Sequence, residues 1–156
     1  GASEVVAIEQ SQSAIDIAQK NLEINHLPKK MEWKCGNAFD IMRRMDSDRE
    51  RFDLVVMDPP PFSPAKGQVG SARRGYKELA VRGFNRIKDG GHMVFLSCSH
   101  AFSREMLLSV LNDAATDACV SCRIALEIHQ PFDHPALSSV PETDYLKGFV
   151  LGVRDQ

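Results

Sequence analysis

Several things are scarce or missing in this 156-residue chain, and each absence excludes something. There is no surplus of positive charge: 19 basic against 21 acidic side chains give −2 at pH 7, so the chain as a whole lacks the electrostatic footprint of a nucleic-acid binder. That counts against RNA as a substrate unless basic residues cluster locally or another domain supplies them. No apolar run approaches the ~20 residues needed to span a bilayer, and the opening residues do not read as a signal peptide. Only four cysteines occur, Cys35, Cys98, Cys119 and Cys122, in no repeating framework, which points to reduced thiols and a cytoplasmic address. Cys119 and Cys122 form a lone CxxC with no second ligand pair, and His100, His129 and His134 lack metal spacing, so no metal is expected. Repeats, low-complexity tracts and linkers are absent. So is a glycine-rich turn at the front: the chain opens GASEVVAIE, already entering a strand, without the strand–glycine loop–helix fingerprint of nucleotide folds.

What is present describes one globular domain, with 43% hydrophobic and 26% charged residues and enough length for a real core. Strand signals fall at 4–9, 31–35, 53–58, 92–98, 121–129 and 146–153. Helical periodicity falls at 11–24, where Ala14, Ile15, Ala18 and Leu22 share a face behind Ser11 or Ser13 as cap. Further helices are expected at 39–45, 75–87 and 103–115, the last opening on Ser103, and Gly90-Gly91 is expected to break the chain before the strand that ends at Cys98. Strand and helix alternate until the final pair of strands. The expected class is α/β, a parallel sheet with helices on both faces.

Two segments concentrate the chemistry: FDLVVMDPPPF, Phe52 to Phe62, and GGHMVFLSCSH, Gly90 to His100. Each reads as a buried strand closed by residues that cannot continue it, and open α/β sheets bind ligands at such carboxyl ends. The first delivers Asp58 and a rigid proline turn to that edge, the second Cys98. Basic residues do cluster directly after DPPPF: Lys66, Arg73, Arg74, Lys77, Arg82, Arg86 and Lys88, with Glu78 as the only acid among them. The run is either a solvated helix face or a phosphate-contacting rim of the pocket.

Taken together, VVAIEQS, CGNAFD, VVMDPPPF and SCSH resemble the class I S-adenosylmethionine-dependent methyltransferases, and most of all the bacterial large-subunit rRNA cytosine-5 methyltransferase I family. The closing DHPALSSVPETDYLKGFVLGV is similar to that family's carboxyl end. The resemblance implies a Rossmann-like sheet, here lacking the first strand and glycine-rich loop. It also implies that residues 1–156 are the C-terminal part of a methyltransferase domain, without the family's N-terminal PUA domain. The missing strand would lie between the strands ending at Glu9 and Asp58. These two then either pair directly or leave unpaired edges, which predicts self-association, at the simplest a homodimer.

The resemblance assigns S-adenosylmethionine to Glu9, Gln10, Asn37, Ala38, Phe39, Asp58 and Pro59. Glu9 would accept the ribose hydroxyls, the alternative being a surface glutamate before a helix cap. Asn37 would bond the amino edge of the adenine and Phe39 offer an apolar or stacking wall, the alternative being a helix start. Ribosomal RNA would be contacted by Pro60, Phe62, Lys66, Arg73, Arg74, Tyr76 and His134, with Phe62 packed against a flipped base. His134 would orient the substrate or simply cap a loop. Cys98 and Asp58 are the expected catalytic pair. Carbon 5 of cytosine is a poor nucleophile, and enzymes that methylate it resemble one another in adding a thiolate to carbon 6 first. Taken without its neighbours, a cysteine ending an apolar strand reads as a small buried hydrophobe. Many relatives with this chemistry carry a second cysteine three residues after the motif aspartate; Pro61 stands there. Two other readings remain: an RNA guanine or amino-group methyltransferase, which needs DPPPF but not Cys98, and an inactive RNA-binding fragment.

Overall fold

A computed structural model of the chain describes residues 1–27, 30–46, 50–62 and 69–156. It divides into two compact units, Gly1–Arg49 and Glu50–Gln156.

In the first unit, β1 (Val5–Glu9) and β2 (Met31–Cys35) run parallel, in register from Val5↔Met31 to Glu9↔Cys35. Helix α1 (Gln12–Ile24) opens on Ser11, whose hydroxyl accepts the amide of Ala14, and buries Ile15. Asn25 and His26 close it, His26 taking a left-handed φ of 52° while its amide returns to Glu23. Helix α2 (Ala38–Met45) opens on Asn37 and buries Ile41, Met42 and Met45.

The second unit carries a four-stranded mixed sheet in the order β3 (Phe52–Met57), β4 (Ile87–Ser97), β6 (Lys147–Asp155), β5 (Val120–Ile128). β3 and β4 are parallel, whereas β6 runs antiparallel to both its neighbours. The final strand pair is thus where the alternation of strand and helix ends and where the sheet ceases to be parallel. Helices α3 (Val69–Phe84) and α4 (Arg104–Asp117) cover one face of it. Met57, Met93, Phe95, Phe149, Leu151 and Val153 supply the buried sheet layer, against Leu79, Ala80, Phe84, Leu107, Val110 and Leu111 from the helices. Each fully buried large side chain here contributes about 1.5–3 kcal/mol of transfer energy. Alternation leaves Leu54, Val56 and Leu126 of the same sheet exposed.

Two expected boundaries move. Gly90-Gly91 does not stop the strand: β4 begins at Ile87 and swells into a bulge, since Phe52↔Ile87 is followed at once by Leu54↔His92. Glycine is required there, because Gly90 has φ of 81° and a Cβ on Gly91 would lie 2.9 Å from the carbonyl of Asp53. Helix α3 starts six residues before the expected Gly75, at Val69, and ends at Phe84. Among the described residues β1 and β2 form one sheet and β3, β4, β6 and β5 another.

Candidate functional site

In the first unit the residues expected to hold a nucleoside do converge. Parallel pairing puts Glu9 and Cys35 side by side at the carboxyl ends of β1 and β2, and the amide of Gly36 bonds the carbonyl of Glu9 at 2.9 Å. Gln10 follows directly, its carbonyl receiving the Cys35 thiol at 3.7 Å. The exposed Glu9 carboxylate accepts the amide of Ser11 through Oε1 at 2.8 Å, which holds its orientation. Asn37 is the cap of α2: its Oδ1 accepts the amide of Phe39 at 2.9 Å. With one lone pair of the oxygen given to the helix, the exposed amide still offers its N–H groups to a ring nitrogen and its second lone pair to an amino group. Ala38 and Phe39 are half-buried beside it.

In the second unit, β3 and β4 end together, with Met57 opposite Phe95, so Asp58 and Cys98 leave neighbouring parallel strands at the same edge. Asp58 is exposed, Pro59 buried and Pro60 exposed; the prolines fix the exit of the chain and donate no competing amide. Phe62 lies half-buried against α3, its ring 4.8 Å from that of Tyr76 in an edge-on contact. Gly75 permits this approach, since a Cβ there would stand 3.2 Å from the Phe62 ring.

Cys98 is half-exposed and sits between two buried serines. Ser97 Oγ accepts the amide of Ser99 at 3.3 Å and shares a hydrogen bond with the Tyr76 hydroxyl at 3.0 Å. The Ser99 carbonyl accepts the Lys147 ammonium at 2.7 Å and the amide of Phe102 at 3.3 Å. The turn that carries the thiol is therefore held on both sides while the thiol itself stays accessible. Burial pushes the Tyr76 hydroxyl above its ordinary range, so it stays protonated and can donate to Ser97. Tyr76 is fully enclosed, packed on Phe62, Phe95 and Phe102. It braces the Cys98 turn and offers no surface to a substrate.

The basic run looks different once folded. Arg73 pairs with Asp113 and bonds Ser109, Lys77 pairs with Asp117, Arg82 with Glu78 and Lys88 with Asp53, while Arg86 is buried and bonds the carbonyl of Glu50. The run mainly fastens α3 to α4 and the strand edges. Arg74 is exposed and has no ion pair among the described residues; Lys66 lies outside them. His134 is exposed in the loop before β6, its Nδ1 3.4 Å from Asp133. Gln130 organises that loop, donating to the His134 carbonyl and accepting the amides of Tyr145 and Leu146 at 2.6 and 3.2 Å. Cys119 and Cys122 are unbridged, Cys122 with its thiol pushed up by burial, and no cluster of metal-ligating side chains occurs among the described residues. Nor, among these residues, is any helix long and apolar enough to cross a membrane.

A methyltransferase from Streptococcus mutans, named as SAM-dependent, superposes over 97% of this chain and 39% of its own with a TM-score of 0.82 at 15% identity. An O-methyltransferase from Bacillus cereus in complex with SAH gives 0.61 over 97% and 63% at 16% identity. The fold is that of the class I methyltransferases. By sequence, this methyltransferase-fold chain is similar to "Ribosomal RNA large subunit methyltransferase I" of Erwinia tasmaniensis, 37% identical over 151 residues, 96% of this chain and 38% of that protein. The Serratia proteamaculans protein of the same name is 36% identical over 154 residues, 98% of this chain and 39% of its own. The chain spans under two fifths of the Erwinia relative's length. A family model described as RNA cap guanine-N2 methyltransferase matches residues 2–66.

Lys147 and Gln130 escaped the sequence reading. The only signal for Lys147 was its place opposite Ser97 in an antiparallel pair, which needs the register of β4 and β6 to be known.

Proposed function

We propose that this chain performs the chemical step of an S-adenosylmethionine-dependent methyl transfer to carbon 5 of a cytosine in large-subunit ribosomal RNA. The observation that carries the reading is the half-exposed Cys98 thiol, held between buried serines at the strand edge that also presents Asp58 and the proline turn. Similarity to the large-subunit methyltransferase I proteins supports the RNA class.

The residues at the ends of β1 and β2 fit a nucleoside. The Glu9 carboxylate takes the ribose hydroxyls, the Asn37 amide donates to a purine ring nitrogen, and Phe39 supplies an apolar wall. When bound, S-adenosylmethionine would supply the methyl group. Cys98 as thiolate would add to carbon 6 of the cytosine; the carbon 5–carbon 6 π pair would move onto carbon 5, which then becomes the nucleophile for the methyl group. Loss of the carbon-5 proton to a base and expulsion of the thiolate restore the ring. Pro61 supplies no thiol for that last step, so Asp58, water or another group takes the proton. Pro60 and Phe62 line the base, and Arg74 contacts phosphate; Arg73 serves this less, being tied to Asp113. Lys66 and His134 are further RNA contacts in this reading.

The family match over residues 2–66 favours a second reading, methyl transfer to a guanine amino group. That match includes DPPPF and stops short of Cys98, so the two readings part at this residue. Cys98→Ala in the protein should abolish turnover and leave cofactor affinity nearly unchanged. A variant keeping more than about a tenth of the wild-type rate, a loss under ~1.4 kcal/mol, would overturn the thiolate step and favour the amino-group reading.

A further inference from the structure

Lys147 heads β6 directly opposite Ser97, and its side chain is half-buried. Its Nζ donates to the carbonyl of Ser99 at 2.7 Å, so the backbone of Lys147 pairs with the residue before the thiol and its ammonium holds the peptide after it. The loop before it is fastened by Gln130 through the amides of Tyr145 and Leu146, and the Tyr145 ring lies 5.7 Å from that of His100 on the far side of the Cys98 turn. This is a costly place for a lysine. Burial lowers its proton affinity, opposed by Asp144 and by its nearness to Cys98. A residue held there only for packing would not need the charge.

We propose that Lys147 is a positioning residue for Cys98: it pins the Ser99 carbonyl, which sets the direction of the thiol, and places its ammonium beside the Cys98 turn. The proposal rests on the reading of Cys98 as nucleophile for its catalytic meaning, but not for its geometry. A neighbouring cation stabilises a thiolate and draws anionic reagents toward it. In the catalytic step the same charge favours the thiolate that attacks carbon 6 and receives it again when the product leaves.

The test compares alkylation by anionic iodoacetate and neutral iodoacetamide, read peptide by peptide by mass spectrometry. Cys35 and Cys119, both exposed, serve as internal references. In the wild-type protein the iodoacetate-to-iodoacetamide rate ratio at Cys98 should exceed that at Cys35 by about three- to tenfold. Lys147→Met should erase the excess, and Lys147→Arg should keep most of it, a pattern that loosened structure alone does not produce. An unaltered ratio in Lys147→Met, or no excess in the wild type, overturns the proposal; the wild-type arm stands even if the Met variant does not fold. Methyl transfer by Cys98→Ser is scored separately. If that variant stays active while the ratio behaves as expected, the charge assignment holds and the cytosine-5 reading falls.

Discussion

Replacing Tyr76 by phenylalanine removes one hydroxyl from a fully enclosed site. That hydroxyl lies 3.0 Å from Ser97 Oγ, itself 0% exposed, and Ser97 Oγ also accepts the amide of Ser99 at 3.3 Å. The net value of such a bond is about 0.5–1.5 kcal/mol, with a further part lost because the Ser97 hydroxyl keeps an acceptor role but loses its other partner. A total of roughly 1–2 kcal/mol corresponds, for a chain of this size, to a fall in Tm of about 3–6 °C. Tyr76→Ala also deletes the ring that packs at 4.8 Å on Phe62 and 4.9 Å on Phe102, and should cost about 3–5 kcal/mol. The alkaline limb gives a second readout. Because burial raises the Tyr76 hydroxyl above its ordinary 10.0, the folded state binds a proton that the unfolded chain releases, so stability present below pH 10.0 is lost as pH rises beyond it. Tyr76→Phe should flatten that loss. Thermal unfolding by circular dichroism at pH 7 and across pH 9–11 measures both. A Tyr76→Phe variant as stable as the wild type, or a Tyr76→Ala variant no worse than Tyr76→Phe, would refute the bracing role.

Other outcomes follow from the same geometry. Arg74→Ala should reduce the salt slope of RNA binding by about one unit, whereas Arg73→Ala should lower stability by about 0.2–1 kcal/mol through its partly exposed pair with Asp113; equal slope changes would contradict the division. Gly148→Ala should destabilise the sheet markedly, since the new Cβ would stand 2.7 Å from the Phe95 carbonyl, and a Tm within 2 °C of wild type would refute the close β4–β6 approach. Glu9→Gln should weaken S-adenosylmethionine binding about tenfold in calorimetry while leaving Tm unchanged, because the carboxylate is exposed and its Ser11 contact survives as an amide oxygen.

Much of the architecture was legible because local signals and the fold agree. Ser11, Asn37 and Ser103 cap the helices that the pattern places after them, and VVAIE, MEWKC and FDLVVM are strands. Where glycine spoke against an element, the sequence misled. Gly90-Gly91 shapes a bulge rather than an end, and α3 begins before Gly75, the point where Phe62 approaches. The site was legible in its residue types, not in their partners. Nothing local to Arg73 and Lys77 announces Asp113 and Asp117 on the next helix but one element away, and nothing local to Lys147 announces Ser99. Of the charges that read as either a solvated face or a binding rim, Arg73, Lys77, Arg82 and Lys88 are engaged in ion pairs among the described residues and Arg74 is not.

The central claim is that Cys98 bonds covalently to carbon 6 of a cytosine. RNA carrying 5-fluorocytosine cannot lose a proton from carbon 5, so after methyl transfer the adduct cannot collapse. Incubated with the protein and S-adenosylmethionine, it should give a denaturation-resistant protein–RNA complex whose crosslinked peptide contains Cys98, and Cys98→Ala should give none. An adduct on Cys35, Cys119 or Cys122, or methylated RNA with no adduct at all, would contradict the account.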